Sequence, residues 1–231
     1  MMNKRKMPGK QGKQIKAPNM PKGELEKGLP EGSIHSRAYY AQVALSREDF
    51  AEQVAQHVSF DQVLFEQVSM RKTHLKKVQV LDSRLVVCDL ANAEWAEATL
   101  CRVELIGCHL TGFQCSEALI QDVLFKECSG SFAQFALATF KAVRFEHCDL
   151  SEVNFMEANF SGVSIVECDL HNADFSGTRL VGVDLRGCRI DGVRVGPDEL
   201  KGAVIDPQQA LAFVRGMGVI VAPLEETREE S

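Results

Sequence analysis

The chain has little aromatic variety and no long apolar run: one tryptophan and two tyrosines stand beside 13 phenylalanines in 231 residues. A membrane-spanning helix needs about 20 consecutive apolar residues, and a secretory leader needs a shorter apolar stretch near the N-terminus. Neither occurs in the sequence. We therefore expect no membrane span, and a cytoplasmic protein whose eight cysteines are reduced thiols.

Motifs of catalysis and ligand binding are also missing. The sequence contains no nucleophile elbow, phosphate-binding loop, dinucleotide fingerprint or HExxH zinc motif. The histidines lie without metal-ligand spacing at His35, His57, His74, His109, His147 and His171. The sequence therefore predicts a non-enzymatic protein with no catalytic residues, no metal site and no cofactor.

Positive charge is scarce in the middle of the chain. Residues 85–178 hold 14 Asp and Glu against four Lys and Arg, whereas residues 1–30 hold eight Lys and Arg against two Glu. An acidic body disfavours nucleic acid as a partner, except through the basic N-terminal tail. Residues 1–32, rich in Lys, Gly and Pro, are predicted to be disordered, and residues 223–231 form an acidic tail.

What the sequence has in abundance is a period of five. From Phe60 to Ile205 every fifth residue is apolar at 29 of 30 positions, with Gly130 as the exception. We call this position i. Two residues earlier, at i−2, 28 of 30 residues are Ala, Val, Cys, Ser or Thr. Residues 58–205 thus form one uninterrupted array, and we expect either a kink at Gly130 or a filling of its gap by Phe132.

The period excludes the ordinary secondary structures. Five residues advance an α-helix by roughly 500°, which scatters the i residues around it, and an odd step alternates faces on a strand. A chain that points i−2 and i inward and then turns a corner satisfies the pattern. Eight of the ten glycines between residues 100 and 205 fall at i+2, where a left-handed corner residue is expected.

A second period of 20 residues indicates four corners to a coil. Cysteines recur at this spacing, all at i−2: Cys88, Cys108, Cys128, Cys148, Cys168 and Cys188. Like residues stack when each coil lies on the next at about the 4.8 Å spacing of strands. Thiols stacked along one inner wall cannot converge on a metal, so we interpret them as small apolar filling, whereas Cys101 is expected to face solvent.

These features resemble the pentapeptide-repeat family. The run FMEANFSGVSIVECDLHNADFSGTRLVGVDLRGC at residues 155–188 is similar to repeats of the family motif A(D/N)LxX. The resemblance implies an all-β fold over residues 58–205, a right-handed quadrilateral parallel β-helix with a short C-terminal capping helix.

The two ends of the array carry different signals. Residues 33–57 continue the fivefold phase but would point Glu48 and Gln53 inward, so they are predicted as an N-terminal cap that is either a short helix or an irregular first coil. Residues 206–222 are predicted as a C-terminal cap, with a helix that begins after the N-cap Asp206 and a short apolar strand behind it.

The stretch IDPQQALAFVRGMGVIV at residues 205–221 is similar to the terminal segment of the quinolone-resistance members of the family, which protect DNA gyrase. In those proteins the corresponding helix and strand support a dimer. The resemblance therefore implies a homodimer with contacts at Leu211, Phe213 and Val214, in addition to a cap for the last coil.

Side chains that point outward define two candidate interaction surfaces. The acidic interaction face consists of Asp89, Glu94, Glu97, Glu117, Asp149, Glu152, Glu157, Asp169 and Asp174. The apolar interaction stripe consists of Leu64, Val86, Val87, Ile106, Leu124 and Val166. An apolar stripe on the outside of a rod is expected to be covered by the N-terminal segment, a second subunit or a client protein.

Three hypotheses for the function follow. The first is a non-enzymatic scaffold that binds a protein partner through the outer faces of an acidic rod. The family resemblance adds the second, a DNA mimic that binds or protects a type II topoisomerase, DNA gyrase or topoisomerase IV. The third is a regulatory or assembly protein that binds through the apolar interaction stripe.

Overall fold

The computed structural model describes residues 14–29 and 32–222 of the chain. Over these residues the chain is a right-handed parallel β-helix with four walls, and its two short helices lie near the C-terminus. No helix within the described ranges is long and apolar enough to cross a membrane.

The strands are short and follow the repeat. They are β1 (Glu26–Lys27), β2 (Tyr39–Ala41), β3 (Val43–Ser46), β4 (Val54–Gln56), β5 (Ser59–Asp61), β6 (Leu64–Glu66), β7 (His74–Lys76), β8 (Gln79–Val86), β9 (Thr99–Ile106), β10 (Leu119–Lys126), β11 (Thr139–Glu146), β12 (Asn159–Ser161) and β13 (Ser164–Val166). The helices are α1 (Pro197–Leu200) and α2 (Pro207–Gly216).

Each wall is a stack of equivalent segments from successive coils. Walls 1 and 2 are regular ladders; in β10, for example, residues 119–121 belong to wall 1 and residues 123–126 to wall 2. In walls 3 and 4 single parallel bridges continue the stack, such as Ser129↔Asp149 in wall 3 and Gln134↔Asn154 in wall 4. From β2 onward the partners are 20 residues apart, which is the period that the cysteines indicate.

The corners explain why the period is five. All eight glycines predicted at i+2 have a positive φ, between 61° and 83°. Residues with side chains adopt the same left-handed conformation at the other corners, among them Phe132 and Leu137. One left-handed residue in every five turns the chain through one corner, so i−2 and i face inward on each wall.

Aromatic side chains stack through the interior from coil to coil. The ring centroids of Phe135 and Phe155 lie 5.5 Å apart, and those of Phe155 and Phe175 lie 5.2 Å apart. Trp95 packs edge-on against Phe113 at 5.4 Å, and its indole N–H donates to the hydroxyl of Thr73. The core is therefore a continuous column of rings and small side chains.

The gap at Gly130 is closed by the main chain of the next coil and by two leucines. A Cβ atom at Gly130 would lie 3.2 Å from the carbonyl oxygen of Asp149, 3.4 Å from Cδ2 of Leu150 and 4.0 Å from Cβ of Leu110. The predicted filling by Phe132 is wrong, because Phe132 is an i+2 corner residue that points away from the interior and is exposed. The bridges of wall 3 run through Ser129 without interruption.

Residues 33–57 contain the first coil, and no helix lies there. β2 and β3 pair with β5 and β6 of the next coil, and the i residues of the first coil are buried. Glu48 and Gln53 are tolerated at inward positions because this coil is at the end of the rod, where no complete coil precedes it. Both are only half-buried, and the side-chain oxygen of Gln53 accepts the N–H of Ile34 at 2.8 Å.

The prediction of a disordered tail is wrong for residues 14–29, which we call the strap. The strap runs along the corner between walls 1 and 2, where its main-chain N–H groups donate to Asp82 and Asp122. It ends in β1, which pairs with β3 of the first coil. A segment rich in Lys, Gly and Pro is ordered here because the rod supplies acceptors for its main chain. The rest of that tail lies outside the described residues.

The C-terminal cap is a helix docked under the last coil. α2 begins after the predicted N-cap Asp206, whose carboxylate and the side chain of Gln209 form a reciprocal capping box. The amide of Gln209 also donates to the carbonyls of Leu185 and Cys188 at 2.6 and 2.9 Å. These bonds satisfy carbonyl groups that the end of the array would leave unpaired.

The predicted strand behind α2 is wrong. Residues 219–222 pair with no strand in the described part of the chain, and the N–H of Val219 instead donates to the carbonyl of Val214 in α2. The sequence favours a strand here through its apolar residues, but no coil edge lies alongside to pair with them. The predicted acidic tail at residues 223–231 lies outside the described residues.

Candidate protein-binding surfaces

The acidic interaction face lies on two adjacent walls and the corners beside them. Wall 3 carries Asp89, Asp149 and Asp169, wall 4 carries Glu94 and Asp174, the corner between these walls carries Glu152, and the corner after wall 4 carries Glu97, Glu117 and Glu157. The structure thus brings the nine predicted carboxylates to one side of the rod.

Cations neutralise the N-terminal end of this face. Lys76 and Lys77 lie 2.9 and 3.2 Å from the carboxylate of Glu97, and their hydrogen bonds lower the pKa of Glu97. His74 contacts Glu94 at 2.7 Å. The two lysines and the histidine come from the coil before, one step along the stack. Sequence reasoning that considers the acidic residues alone therefore misses these partners.

Two arginines neutralise the C-terminal end of the face, at 3.0 Å each: Arg189 with Asp169 and Arg194 with Asp174. Among the described residues no ion pair reaches Glu117, Glu152 or Glu157. The uncompensated negative charge is therefore concentrated in the middle of the rod.

The aspartates of the face have a local structural role as well. The carboxylate of Asp149 accepts the main-chain N–H of Ser151 at 3.0 Å, and that of Asp174 accepts the N–H of Ser176 at 2.9 Å. A bond of this kind fixes the turn that follows the aspartate. The corner glutamates make no such bond. Glu97 is paired with the two lysines and Glu152 accepts the side-chain amide of Asn172 at 3.0 Å, so among the described residues Glu117 and Glu157 are the most available to a partner.

The apolar interaction stripe is discontinuous. Its members lie on wall 2 and the following corner, but they are half-buried apart from Val87, which is 56% exposed. Charged residues interrupt the two outward columns of wall 2: Arg84, Glu104, Lys126, Arg144 and Glu146. Arg84 and Glu104 form an ion pair at 2.8 Å between Leu64 and Leu124.

Three exposed apolar side chains, missed by sequence reasoning, stand in the middle of the acidic face. Phe132 and Leu137 occupy the two corners that bound wall 4 in one coil, and Met156 lies on wall 4 of the next coil. They are 55%, 52% and 42% exposed, and we call them the corner cluster. The signal in the sequence is a Phe and a Leu at i+2, where most coils place Gly or a polar residue.

Carboxylates flank the corner cluster along the rod. Glu117 and Glu157 stand one coil below and one coil above Leu137 in the same corner column, and Glu152 stands one coil above Phe132. The cluster is therefore an apolar centre with an acidic border. Such a surface can bury apolar side chains of a partner and pair its cations at the rim.

The three residues predicted as dimer contacts differ in exposure. Phe213 is buried and packs into the protein's own core, so its assignment as a dimer contact is wrong. Leu211 and Val214 are 45% and 37% exposed on the opposite side of α2. The helical period explains the difference, because only one side of α2 can face the last coil.

The cysteine column lines the inside of wall 3, and its thiols donate to main-chain carbonyls. Cys108 donates to the carbonyl of Leu85 and Cys148 to that of Glu146, both at 3.3 Å. In the ranges that the structure describes, no group of three or more His, Cys, Asp or Glu residues could hold a metal ion.

The repeat is also recognised as a family. The model of the pentapeptide repeat region matches residues 79–146 and 138–206, which together make up more than half of the chain. The chain belongs to the pentapeptide repeat family. No curated protein matches this pentapeptide repeat chain.

Solved structures of pentapeptide repeat proteins are similar to the chain. A trypsin-treated variant of QnrB1, a plasmid-mediated fluoroquinolone resistance protein, is 15% identical, with 85% of this chain and 97% of that chain covered and a TM-score of 0.38. HetL from the cyanobacterium Nostoc sp. strain PCC 7120, involved in heterocyst differentiation regulation, is 18% identical, with 79% and 90% covered and a TM-score of 0.32. At these values the similarity says nothing about the function of this pentapeptide repeat protein.

Proposed function

We propose that this pentapeptide repeat protein is a non-enzymatic scaffold that binds another protein through the middle of its acidic interaction face. The observation that carries the proposal is the corner cluster. Phe132 and Leu137 are large apolar residues that are held in the left-handed conformation and are also exposed to solvent.

Both features are unfavourable for the free protein. The left-handed conformation costs a residue with a side chain about 1–2 kcal/mol, and only Gly, Asn and Asp adopt it readily. Exposed apolar surface gains no burial free energy. In the corner column of Phe132 other coils carry Asn92, Gly112 and Asn172, which adopt this conformation more readily, and in that of Leu137 they carry the polar residues Glu97, Glu117 and Glu157. Since Phe132 and Leu137 do not stabilise the rod, a role in binding is favoured.

The surroundings of the cluster indicate the chemistry of the partner. An apolar side chain of the partner would bury Phe132 and Leu137, and aromatic or aliphatic anchors of this kind dominate the energy of interfaces. Lys or Arg residues next to that anchor would meet Glu117, Glu152 and Glu157, which speeds association and fixes the orientation. The partner surface is therefore apolar at its centre and basic at its edge.

A matched set of full-length variants tests this proposal. The double substitution Phe132→Asn and Leu137→Asn removes the cluster, while Val87→Asn makes the same change at an exposed left-handed corner on another edge of the rod. After cross-linking in the native host, we expect the wild type and Val87→Asn to capture the same protein and the double variant to lose it. Equal capture by all three would rule out the corner cluster.

Mimicry of duplex DNA is the second candidate, favoured by the carboxylates of Glu117, Glu152 and Glu157, with which no cation among the described residues forms an ion pair. A DNA mimic would require these charges but not the corner cluster. Supercoiling by DNA gyrase is measured with and without a fluoroquinolone. Protection that survives Phe132→Asn and Leu137→Asn but is lost with Glu117→Lys and Glu157→Lys supports mimicry, and absence of protection at micromolar protein excludes it.

Three further expectations remain proposals. A regulatory or assembly role through the apolar interaction stripe predicts that Val87→Asn, and not the double variant, loses the captured protein. A homodimer through the exposed side of α2 is supported by Leu211 and Val214. The free thiols fit a reducing compartment such as the cytoplasm.

A further inference from the structure

The corner between walls 1 and 2 differs from the others because it is covered. Five of its left-handed residues stack in a column that we call the docking column: Gln42, Gln62, Asp82, Arg102 and Asp122. Asp82 and Asp122 are 8% and 6% exposed. Corner glutamates elsewhere, such as Glu117 and Glu157, are open to solvent. The cover is the strap.

The docking column contacts the main chain of the strap. The N–H of Lys16 donates to Oδ1 of Asp122 at 3.2 Å, and the N–H of Asn19 donates to Oδ1 of Asp82 at 2.8 Å. The side-chain amide of Gln62 donates to the carbonyl of Asn19 at 2.7 Å. None of these bonds uses a strap side chain, so the contacts do not depend on which residues the strap carries at these positions.

The spacing of the strap matches the spacing of the rod. Asp82 and Asp122 are two coils apart, which is about 9.6 Å at the strand spacing. Lys16 and Asn19 are three residues apart, and three residues of polyproline II advance about 9.3 Å and return to the same orientation. One turn of this conformation therefore brings an N–H back to the column at every second coil.

The sequence of the strap favours this conformation. Proline fixes its own φ near the polyproline value and keeps the preceding residue extended, so Pro18 and Pro21 restrain themselves and also Ala17 and Met20. The prolines also lie at positions whose N–H the docking column does not need. The apolar residues Ile15, Met20 and Leu25 are half-buried, while the lysines of the strap point to solvent.

Arg102, a member of the docking column, holds one of its carboxylates in place. Its guanidinium lies between the two aspartates and donates to Oδ1 of Asp82 at 2.7 Å, which orients that carboxylate. One cation for two carboxylates leaves the column net acidic. The site therefore combines fixed acceptors, a defined repeat distance and an attraction for positive charge.

From this match we infer that the docking column is a binding site for an extended, basic, proline-containing segment of a partner protein, and that the strap is its resident competing ligand. A partner segment with a free N–H at every third residue and proline in between makes the same bonds. Because the strap is covalently attached, it competes at a high effective concentration and must be displaced. The site lies on the edge of the rod opposite Glu152, and it does not depend on the function proposed for the corner cluster.

Full-length variants that differ by one proline test the inference. Asn19→Pro removes an N–H that the column binds, whereas Met20→Pro, the control, removes an N–H for which the described residues show no acceptor. The probe is a labelled peptide with the strap sequence QIKAPNMPK. We expect it to bind Asn19→Pro about tenfold or more tightly than wild type, the factor lost with one hydrogen bond to a carboxylate. Met20→Pro is expected to behave like wild type.

Two further measurements make the outcome decisive. Trypsin cleavage after Lys16 and Lys22 is expected to be faster in Asn19→Pro than in Met20→Pro, which shows that the strap has opened. Adding Asp82→Asn and Asp122→Asn to Asn19→Pro is expected to abolish peptide binding. The inference is overturned if the strap stays protected in Asn19→Pro, if the opened variant does not bind the peptide, or if binding survives the two aspartate substitutions.

Discussion

At the level of single residues, position in the five-residue period decides whether a thiol can react. Burial raises the pKa of Cys115 to about 12, so this thiol stays protonated at neutral pH. Cys101, at i+1 on wall 1, is half-buried and reaches the surface. Thiol reagents attack the thiolate, and only where it is accessible. We therefore expect Cys101 to react with thiol reagents and Cys115 not to react in the native protein.

We predict that a disulfide reagent at pH 8 labels one of the eight thiols in the native protein and all eight after denaturation. Cys101→Ser is expected to remove the fast phase, and Cys115→Ser is expected to leave it in place. Mass spectrometry of the labelled peptides identifies the site. Fast labelling in the cysteine column would show that wall 3 opens in the native state.

Asp82 gives a residue-scale prediction about pH. Hydrogen bonds from Arg102, opposed by desolvation and aided by the N–H of Asn19, lower the pKa of Asp82 below its ordinary 3.8. A carboxyl group with a lowered folded pKa contributes stability that is complete above its unfolded pKa and is lost as the pH falls through the folded value. Arg102 stays charged throughout this range, so the titrating partner is the aspartate.

We expect Asp82→Asn to lower the free energy of unfolding by about 2 kcal/mol at pH 7, since bonds to a charged group contribute about 1.5–3 kcal/mol. Between pH 5 and pH 2, reached in denaturant titrations at each pH, the wild type should lose stability more steeply than the variant. Parallel curves for the two proteins would contradict the role given to this carboxylate.

At the level of elements, the aromatic column holds successive coils together. Phe155 contacts the rings of five other phenylalanines: Phe135, Phe140, Phe145, Phe160 and Phe175. Phe155→Ala is predicted to lower the free energy of unfolding by about 3–5 kcal/mol. Phe132→Ala, at an exposed corner, should change it by no more than about 0.5 kcal/mol. Urea denaturation measures both, and a similar effect of the two would contradict the stacked core.

The elements differ in how far their structure can be predicted from the sequence. The repeat array can be predicted from the sequence because i, i−2 and the corner glycines recur with a fixed local period, so the pattern of one coil predicts that of the next. The position of the strap cannot be predicted in this way, because the hydrogen bond from Lys16 to Asp122 joins residues 106 apart and depends on how the coils stack.

The corner cluster could have been predicted from the sequence, since Phe132 and Leu137 break the polar pattern at i+2. The acidic face was found, but the cations that neutralise its ends come from adjacent coils.

At the level of the whole molecule, a solenoid has two ends that must be closed. β1 and the segment around Ile34 cover the first coil. At the other end α2 uses one side, with Gln209 and Phe213, to cover the last coil, and leaves Leu211 and Val214 on its outer side. An apolar outer side on a terminal cap is a surface that a second copy of the chain can cover.

The two sides of α2 lead to opposite predictions for the same helix. Leu211→Glu with Val214→Glu should leave the cap docked, while the sedimentation mass falls from about that of a dimer to that of a monomer. Because dimerisation stabilises the native state, the denaturation midpoint of the variant should equal that of the wild type only at dilutions where the wild type is monomeric. Phe213→Ala should instead lower the free energy of unfolding by about 3 kcal/mol, because it empties a buried site. A wild-type protein that sediments as a monomer at all concentrations would exclude the dimer and would leave capping as the role of α2, since the bonds of Gln209 to the last coil do not require a second chain.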